Sequence, residues 1–415
     1  MHFSHSARVD ALRLKLRDFL DTYIVPRQNL WHEEVAAGRH PVSFMADLKA
    51  LARSEGLWNL FLPALRDDEP GTRLTNLEYA PLAEIMGRVS WASEVFNCSA
   101  PDTGNMELLH LFATAEQRAR WLAPLLDGSM RSAFAMSEPD VASSDASAIQ
   151  TSIRREGDDY VINGRKWFIT NAAHPDCRLL IVMGKTDPDA DRHRQQSMVL
   201  VPIETPGVER VRNIAVMNHL SPEGHCELLL RNVRVPVGNR LGGEGDGFMM
   251  AQARLGPGRI HHCMRAIGMA ELALELMVER LQERKAHGRY LHHYANLTDW
   301  VAESRIEIEQ ARLLVLKTAW MIDELGARGA SREIAMIKTL VPRMQNAVID
   351  RAMQAYGAMG LSPDTPLADM WTAGRALRLA DGPDQVHLHS VAKWELKASE
   401  ANRGASAAYL TPGRE

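Results

Sequence analysis

Cysteine is scarce, with four in 415 residues, and Cys98, Cys177, Cys226 and Cys263 lie far apart without a C-x-x-C pair. That spacing excludes a disulfide framework and a thiolate metal site, and it suits a reducing compartment. A dominant charge is also missing: the formal net charge is -4 and charged residues make up 24%. No attraction to polyanions follows, so no nucleic-acid partner is expected. Long apolar runs are missing too, and with them any membrane insertion. The opening MHFSHSARVDALRLKLRDFL is broken by Arg, Lys and Asp and has no signal-peptide centre, so the expected address is cytoplasmic. The Gly-rich dinucleotide fingerprint is absent. GGEGDG near Gly243 has the wrong spacing, and GPGR at Gly256 follows no strand, which disfavours a Rossmann-bound nicotinamide. No G-x-S-x-G elbow marks a hydrolase.

What is present is a chain of 415 residues with 46% apolar content, enough for two or three domains with a sizeable interior. From Val9 to about Leu126 apolar residues recur at helical spacing, as in Val9, Leu12, Leu16, Phe19 and Leu20. Between Ser132 and Val237 the texture becomes β-rich. Tyr160–Ile162 and Trp167–Thr170 flank Asn163-Gly164, a hairpin-turn dipeptide, and RLLIVMG, SMVLVP and CELLLRNVRV follow. From Gly247 long amphipathic patterns return, with Val301, Ile308, Leu313, Leu316 and Trp320 expected near one helix face. The expected fold is an α+β multidomain chain: a helical domain over 1–130, a β domain over 131–237 and a helical bundle over 238–415.

Sixteen histidines form weak clusters at His261–His262, His292–His293 and His387/His389. Neighbouring residues on a helix point in different directions, so these read as solvated or hydrogen-bonded imidazoles rather than a metal site. Three other segments stand out: Phe134–Asp145 (FAMSEPDVASSD), Asn163–Asn171 (NGRKWFITN) and Arg378–His387 (RLADGPDQVH). Singly they read as a polar loop, a hairpin and a Gly-Pro break between helices. Their order inside an α, β, α chain points to function.

Together with QAYGAMG at Gln354, these segments resemble the acyl-CoA dehydrogenase family over nearly the whole chain to about Lys397. The resemblance is strongest to the dehydrogenase domain of acyl-CoA dehydrogenase family members 10 and 11, through VASSD, RLGPGRIHHCMR and LRLADGPDQVHL. It implies an N-terminal helical domain, a central β domain and a C-terminal four-helix bundle. FAD is expected between the β domain and the bundle, reaching a neighbouring subunit in a homodimer or homotetramer. By the same resemblance Met136, Ser137, Phe168, Ile169 and Thr170 border the isoalloxazine, with Phe168 where Trp is usual. Arg284 meets the FAD diphosphate across the subunit boundary; taken alone, it reads more readily as a solvated helix-face arginine. Gln354, Gly357 and Ala358 let the cofactor come close, Pro383, Asp384 and Gln385 complete its surroundings, and Ala295 stands where many members have Gln. Ser144, Gly256, Arg259 and Gly382 are expected on the acyl-CoA side, although Arg259 could be structural.

Dehydrogenation of a saturated thioester needs a carboxylate to take the α proton while the β carbon gives hydride to flavin. The family's Glu-Gly pair aligns with Asp381-Gly382, which makes Asp381 the candidate base. Its arm is one methylene shorter, about 1.5 Å. The position some members use instead falls on Gly258, which carries no carboxylate, and Asp384 is the near rival. The bland reading of Asp381 is a helix N-cap. The resemblance further implies an electron-transfer flavoprotein as acceptor and trans-2-enoyl-CoA as product. Long-chain and 4-hydroxyacyl thioesters, the latter through phosphorylated intermediates, both stay open. So do other readings of the scaffold, as acyl-CoA oxidase, flavin monooxygenase or non-catalytic acyl-CoA-binding protein.

Overall fold

The computed structural model describes residues 4–410. Its amino-terminal part is helical: α1 (Ala7–Phe19), α2 (Asn76–Gly87) and α3 (Asp102–Phe112) are the segments that bear on the site. Ser6 caps α1 by accepting from Val9 N, and Thr75 and Glu78 form a reciprocal capping box on α2.

Eight strands follow in one sheet: β1 (Arg131–Ala135), β2 (Ser152–Glu156), β3 (Asp159–Thr170), β4 (Cys177–Lys185), β5 (Gln196–Pro202), β6 (Val208–Asn213), β7 (His225–Pro236) and β8 (Arg240–Leu241). The order is β6-β7-β3-β2-β4-β5-β8, with β1 parallel to β4. Alternation along β4 divides the interior. Leu179, Ile181 and Met183 join the core shared with the helices, whereas Leu180 and Val182 face a second core belonging to the sheet alone. Asn163-Gly164 does not turn the chain; it lies inside β3, where the register shifts against β7, and the turn comes earlier at Gly157. Gly164 is there for space, because a Cβ would collide with Thr151.

The carboxy-terminal part is α4 (Gly247–Glu283), α5 (Ala295–Gly329), α6 (Ser331–Tyr356), α7 (Leu367–Leu377) and α8 (Asp384–Ala401). At 37 residues α4 is about 55 Å long and carries Pro257 in its interior, which leaves the Ala253 carbonyl without its helical donor. Helices α2 and α4 meet where glycine allows it: a Cβ at Gly87 would strike the Arg265 backbone, and one at Gly268 the Glu84 backbone. The α5 carboxylate of Asp323 accepts from the first amides of α2, Asn76 N at 2.8 Å and Leu77 N at 2.9 Å, which ties the first helical part to the last. The α5 face is not the one expected. Ile308 is buried with Ala311, Val315 and Ile322, but Leu313 and Trp320 are exposed with Ile306, a second apolar stripe at seven-residue spacing. Among the described residues no helix is long and apolar enough to cross a membrane.

Candidate active site

Asp381 sits in the turn between α7 and α8 with φ +55°, and Gly382 follows at φ +105°. A left-handed Asp is uncommon, and here two cations hold the turn. Arg259 Nε donates to the Asp381 carbonyl at 2.9 Å, and the buried Lys338 Nζ donates to the carbonyls of Gly382, at 3.3 Å, and Leu377. Gly382 leaves room for His387, whose Nε2 would lie 2.9 Å from an added Cβ. Among the described residues nothing accepts from the Asp381 amide.

The Asp381 side chain keeps 18% exposure and, among the described residues, has no close partner. Arg254 Nη1 lies 3.9 Å from Oδ1, and His262 Nε2 lies 3.6 Å from Oδ2. Burial pushes the carboxyl upward, but His262, Arg254, Arg259 and Lys338 together pull harder and hold it below the usual carboxylate range. Burial in turn lowers Arg254, Arg259 and Lys338, and takes His262 down to about 4. The result is one accessible carboxylate in a nest of cations. Gly258 faces it: a Cβ there would sit 3.7 Å from Asp381 Oδ2 and, among the described residues, touch nothing else. The two positions at which a base could stand therefore converge on one space.

Arg254 is itself buried, donating to Asn105 Oδ1 at 3.2 Å and lying over the Phe134 ring at 4.4 Å. Glu107 on α3 is buried nearby, with Oε2 unpartnered, and burial pushes it up to about 8 against the pull of Arg254.

A second surface lies at the end of β1 and in β3. The wholly buried Lys166 donates from Nζ to Met136 O at 2.9 Å, Glu138 Oε1 at 2.8 Å and Met183 O at 2.7 Å. Trp167 N donates to Ser137 O at 3.0 Å. These bonds set Met136 and Ser137 beside Phe168, which has φ +51° and exposes 44% of its surface. An exposed aromatic in left-handed backbone is strained, and the strand around it holds it there. Thr170 Oγ1 pairs with His225 Nδ1 at 2.9 Å. Ile169 points into the sheet core and can offer only its backbone.

A third cluster closes α6. Gln354, Gly357 and Ala358 are exposed, and Gly357 (φ +65°) has nothing within 4 Å of an added Cβ. This open glycine cradle and the exposed Phe168 fit a long, flat cofactor that needs both close backbone approach and a ring to lie against. Arg284 is exposed at the end of α4, about 33 Å from His262 along the helix. Within one chain it cannot serve the site of Asp381.

Four of the expected residues have these surroundings. Asp384 is buried, and its Oδ2 accepts from Arg343 Nε at 3.0 Å and Arg378 Nε at 2.9 Å. Gly256 packs against α5, where a Cβ would meet Ala327 at 3.1 Å. Arg259 grips the backbone of Asp381, which is its structural alternative. Ser144 is exposed in a loop pinned by its neighbour, Ser143 Oγ accepting from Glu138 N at 2.8 Å. Pro383 is the N-cap residue of α8, and Gln385 is exposed on its first turn. Arg254, His262, Lys338, Lys166 and Glu107 had not been singled out as site residues. The spacing 254, 258, 262 was a usable signal, since steps of four share a helix face.

Comparison with known proteins places this architecture. Three family models match in order: acyl-CoA dehydrogenase N-terminal domain over residues 6–129, middle domain over 133–233 and C-terminal domain over 245–396. Probable acyl-CoA dehydrogenase FadE2 of Mycobacterium tuberculosis is 53% identical over 413 residues, 98% of this chain and 100% of that protein. Acyl-CoA dehydrogenase family member 10 of Mus musculus is 53% identical over 397 residues, 94% of this chain but only 37% of that longer protein. The structure of a proposed acyl-CoA dehydrogenase from Mycobacterium abscessus matches with a TM-score of 0.91 at 48% identity, covering 95% of this chain and 100% of that one.

Proposed function

This chain belongs to the acyl-CoA dehydrogenase family, a family of flavoprotein oxidoreductases, and on that premise we propose that it is an FAD-dependent enzyme removing the α and β hydrogens of an acyl-CoA thioester. The observation that carries the reading is Asp381: an accessible carboxylate without a close partner, on a fixed turn, facing the space beside Gly258.

Asp381 takes the α proton. Arg259 and Lys338 hold the carbonyls of Asp381 and Gly382, so the shorter arm starts from a backbone that does not drift. The Asp381 amide, which has no acceptor among the described residues, would donate to the thioester oxygen, where negative charge grows as the proton leaves. Before substrate enters, the cations keep the carboxyl ionised. An acyl chain that expels water weakens its solvation and makes it a better base. Met136, Ser137 and Phe168–Thr170 would hold the flavin ring, and Gln354, Gly357 and Ala358 another part of the FAD. Held by these residues, FAD would supply the hydride-accepting chemistry, with an electron-transfer flavoprotein as the acceptor of its electrons.

The exposed stripe of Ile306, Leu313 and Trp320 supports a homodimer or homotetramer, as does Arg284, too far from Asp381 to serve it but free to reach a partner's cofactor. The test is anaerobic titration of the FAD-loaded protein with acyl-CoAs of increasing length, including 4-hydroxyacyl forms, read by flavin absorbance. Bleaching by one of them is the expected result. Bound FAD that no thioester bleaches would overturn the reading.

A further inference from the structure

His262 lies one turn beyond Gly258 on α4, and its two ring nitrogens face different partners. Nδ1 meets Arg265 Nη2 at 3.2 Å, and Nε2 looks across 3.6 Å to Asp381 Oδ2. Guanidinium groups only donate, so Nδ1 must accept, and a neutral imidazole then carries its proton on Nε2. A proton on Nδ1 would set two donors face to face. The adjacent His261 turns away between the rings of Phe61, at 5.9 Å, and Tyr79, at 5.2 Å.

Resting on the reading of Asp381 as base, we propose that His262 is a positioning residue: Arg265 locks it as the Nε2–H tautomer, and that single N–H steers the Asp381 carboxylate, leaving the other oxygen for the α proton. The present 3.6 Å is longer than the roughly 2.7–3.2 Å of a formed bond, and such contacts tighten as substrate closes a site. His262 does not relay the proton, because its only free lone pair is occupied by Arg265. The charges that face the pair are Arg254 and Arg265 from α4, Arg259 over the Asp381 turn and Lys338 from α6. Removing the imidazole takes away a neutral N–H donor that favours the ionised Asp381 carboxylate, so the acid limb of the reaction moves to higher pH.

Two measurements decide it. Nitrogen NMR of histidine-labelled protein, with the His262 signal identified by its loss in His262→Gln, is expected to show a neutral Nε2–H ring from about pH 8 to about pH 5. An Nδ1–H ring, or a cationic ring at about pH 6, overturns the proposal. In anaerobic flavin reduction by acyl-CoA, His262→Leu is expected to slow the step about tenfold and raise its acid limb by about one pH unit. His262→Gln, which keeps an N–H donor, restores most of both. A Leu variant with the wild-type rate and acid limb overturns the role of His262 while leaving the dehydrogenase reading standing. Failure of every acyl-CoA to reduce the wild type sinks that reading, whatever the NMR shows of the tautomer, and the role with it.

Discussion

The Nζ of Lys338 donates to the carbonyl of Gly382 at 3.3 Å from a wholly buried position, so a lysine in the middle of α6 fixes the turn that carries Asp381. Lys338→Met keeps the volume but strips the donors from Gly382 and Leu377. Unsatisfied buried carbonyls cost about 1–3 kcal/mol, partly offset because burial already disfavours the lysine charge. We expect a loss near ~1 kcal/mol in urea unfolding, with flavin reduction falling at least ~10-fold because the base is no longer held. A variant that loses stability but keeps its reduction rate would show that Lys338 serves the fold alone.

Gly258 and Gly268 lie ten positions apart on α4 and should respond in opposite ways. A Cβ at Gly258 meets only Asp381 Oδ2, at 3.7 Å, whereas one at Gly268 runs into the Glu84 backbone. Gly258→Ala should gain about 0.5–1 kcal/mol of helix stability while crowding the substrate, raising KM severalfold. Gly268→Ala should destabilise by more than about 2 kcal/mol, since backbone must move. Thermal unfolding and steady-state kinetics of the two variants check both signs.

How far the site could be read from the sequence follows from range. Phe134–Asp145, Asn163–Asn171 and Asp381-Gly382 were legible because each is a local pattern set in an α, β, α chain. Lys338 was not: it occupies the apolar stripe of α6 among Ile334, Ile337 and Val341, and only the tertiary fold brings the carbonyls of Leu377 and Gly382 to it. Asn163-Gly164 misled because its turn propensity is overridden by pairing with β7, the glycine being needed for the approach of Thr151. The pairing of Asp384 Oδ2 with Arg343, 41 positions earlier, was likewise out of local range. Leu313 and Trp320 match helical spacing but belong to an outer stripe, which a single helix cannot distinguish from its core face.

Phe168 pairs left-handed backbone with an exposed ring. Asn tolerates that conformation, so Phe168→Asn relieves roughly 1 kcal/mol of strain and gives up a similar contact with the Trp167 ring, 5.0 Å away. The melting temperature of the FAD-free protein should hardly change, while FAD dissociation rises at least ~10-fold by fluorescence titration. Unchanged FAD affinity would remove Phe168 from the cofactor surface.

Glu107 gives a pH signature of its own. Burial holds its carboxyl up at about 8, so the folded protein keeps a proton that the unfolded chain releases near 4.5. The unfolded state binds fewer protons between those values, and stability therefore falls as pH rises through that window. By pH 7 the cost is on the order of 3 kcal/mol. Glu107→Gln should flatten the decline, with the largest stabilisation near neutral to mildly alkaline pH in denaturant titrations. A decline that survives the substitution would assign it to another group.

The central claim is that Asp381 takes the α proton, and single-turnover anaerobic reduction of wild type and Asp381→Asn at equal FAD content tests it most directly. The account predicts that acyl-CoA bleaches the wild-type flavin and that the Asn variant, folded and still binding acyl-CoA, is slowed by about 10²–10⁴. Reduction of the Asn variant at the wild-type rate would contradict it.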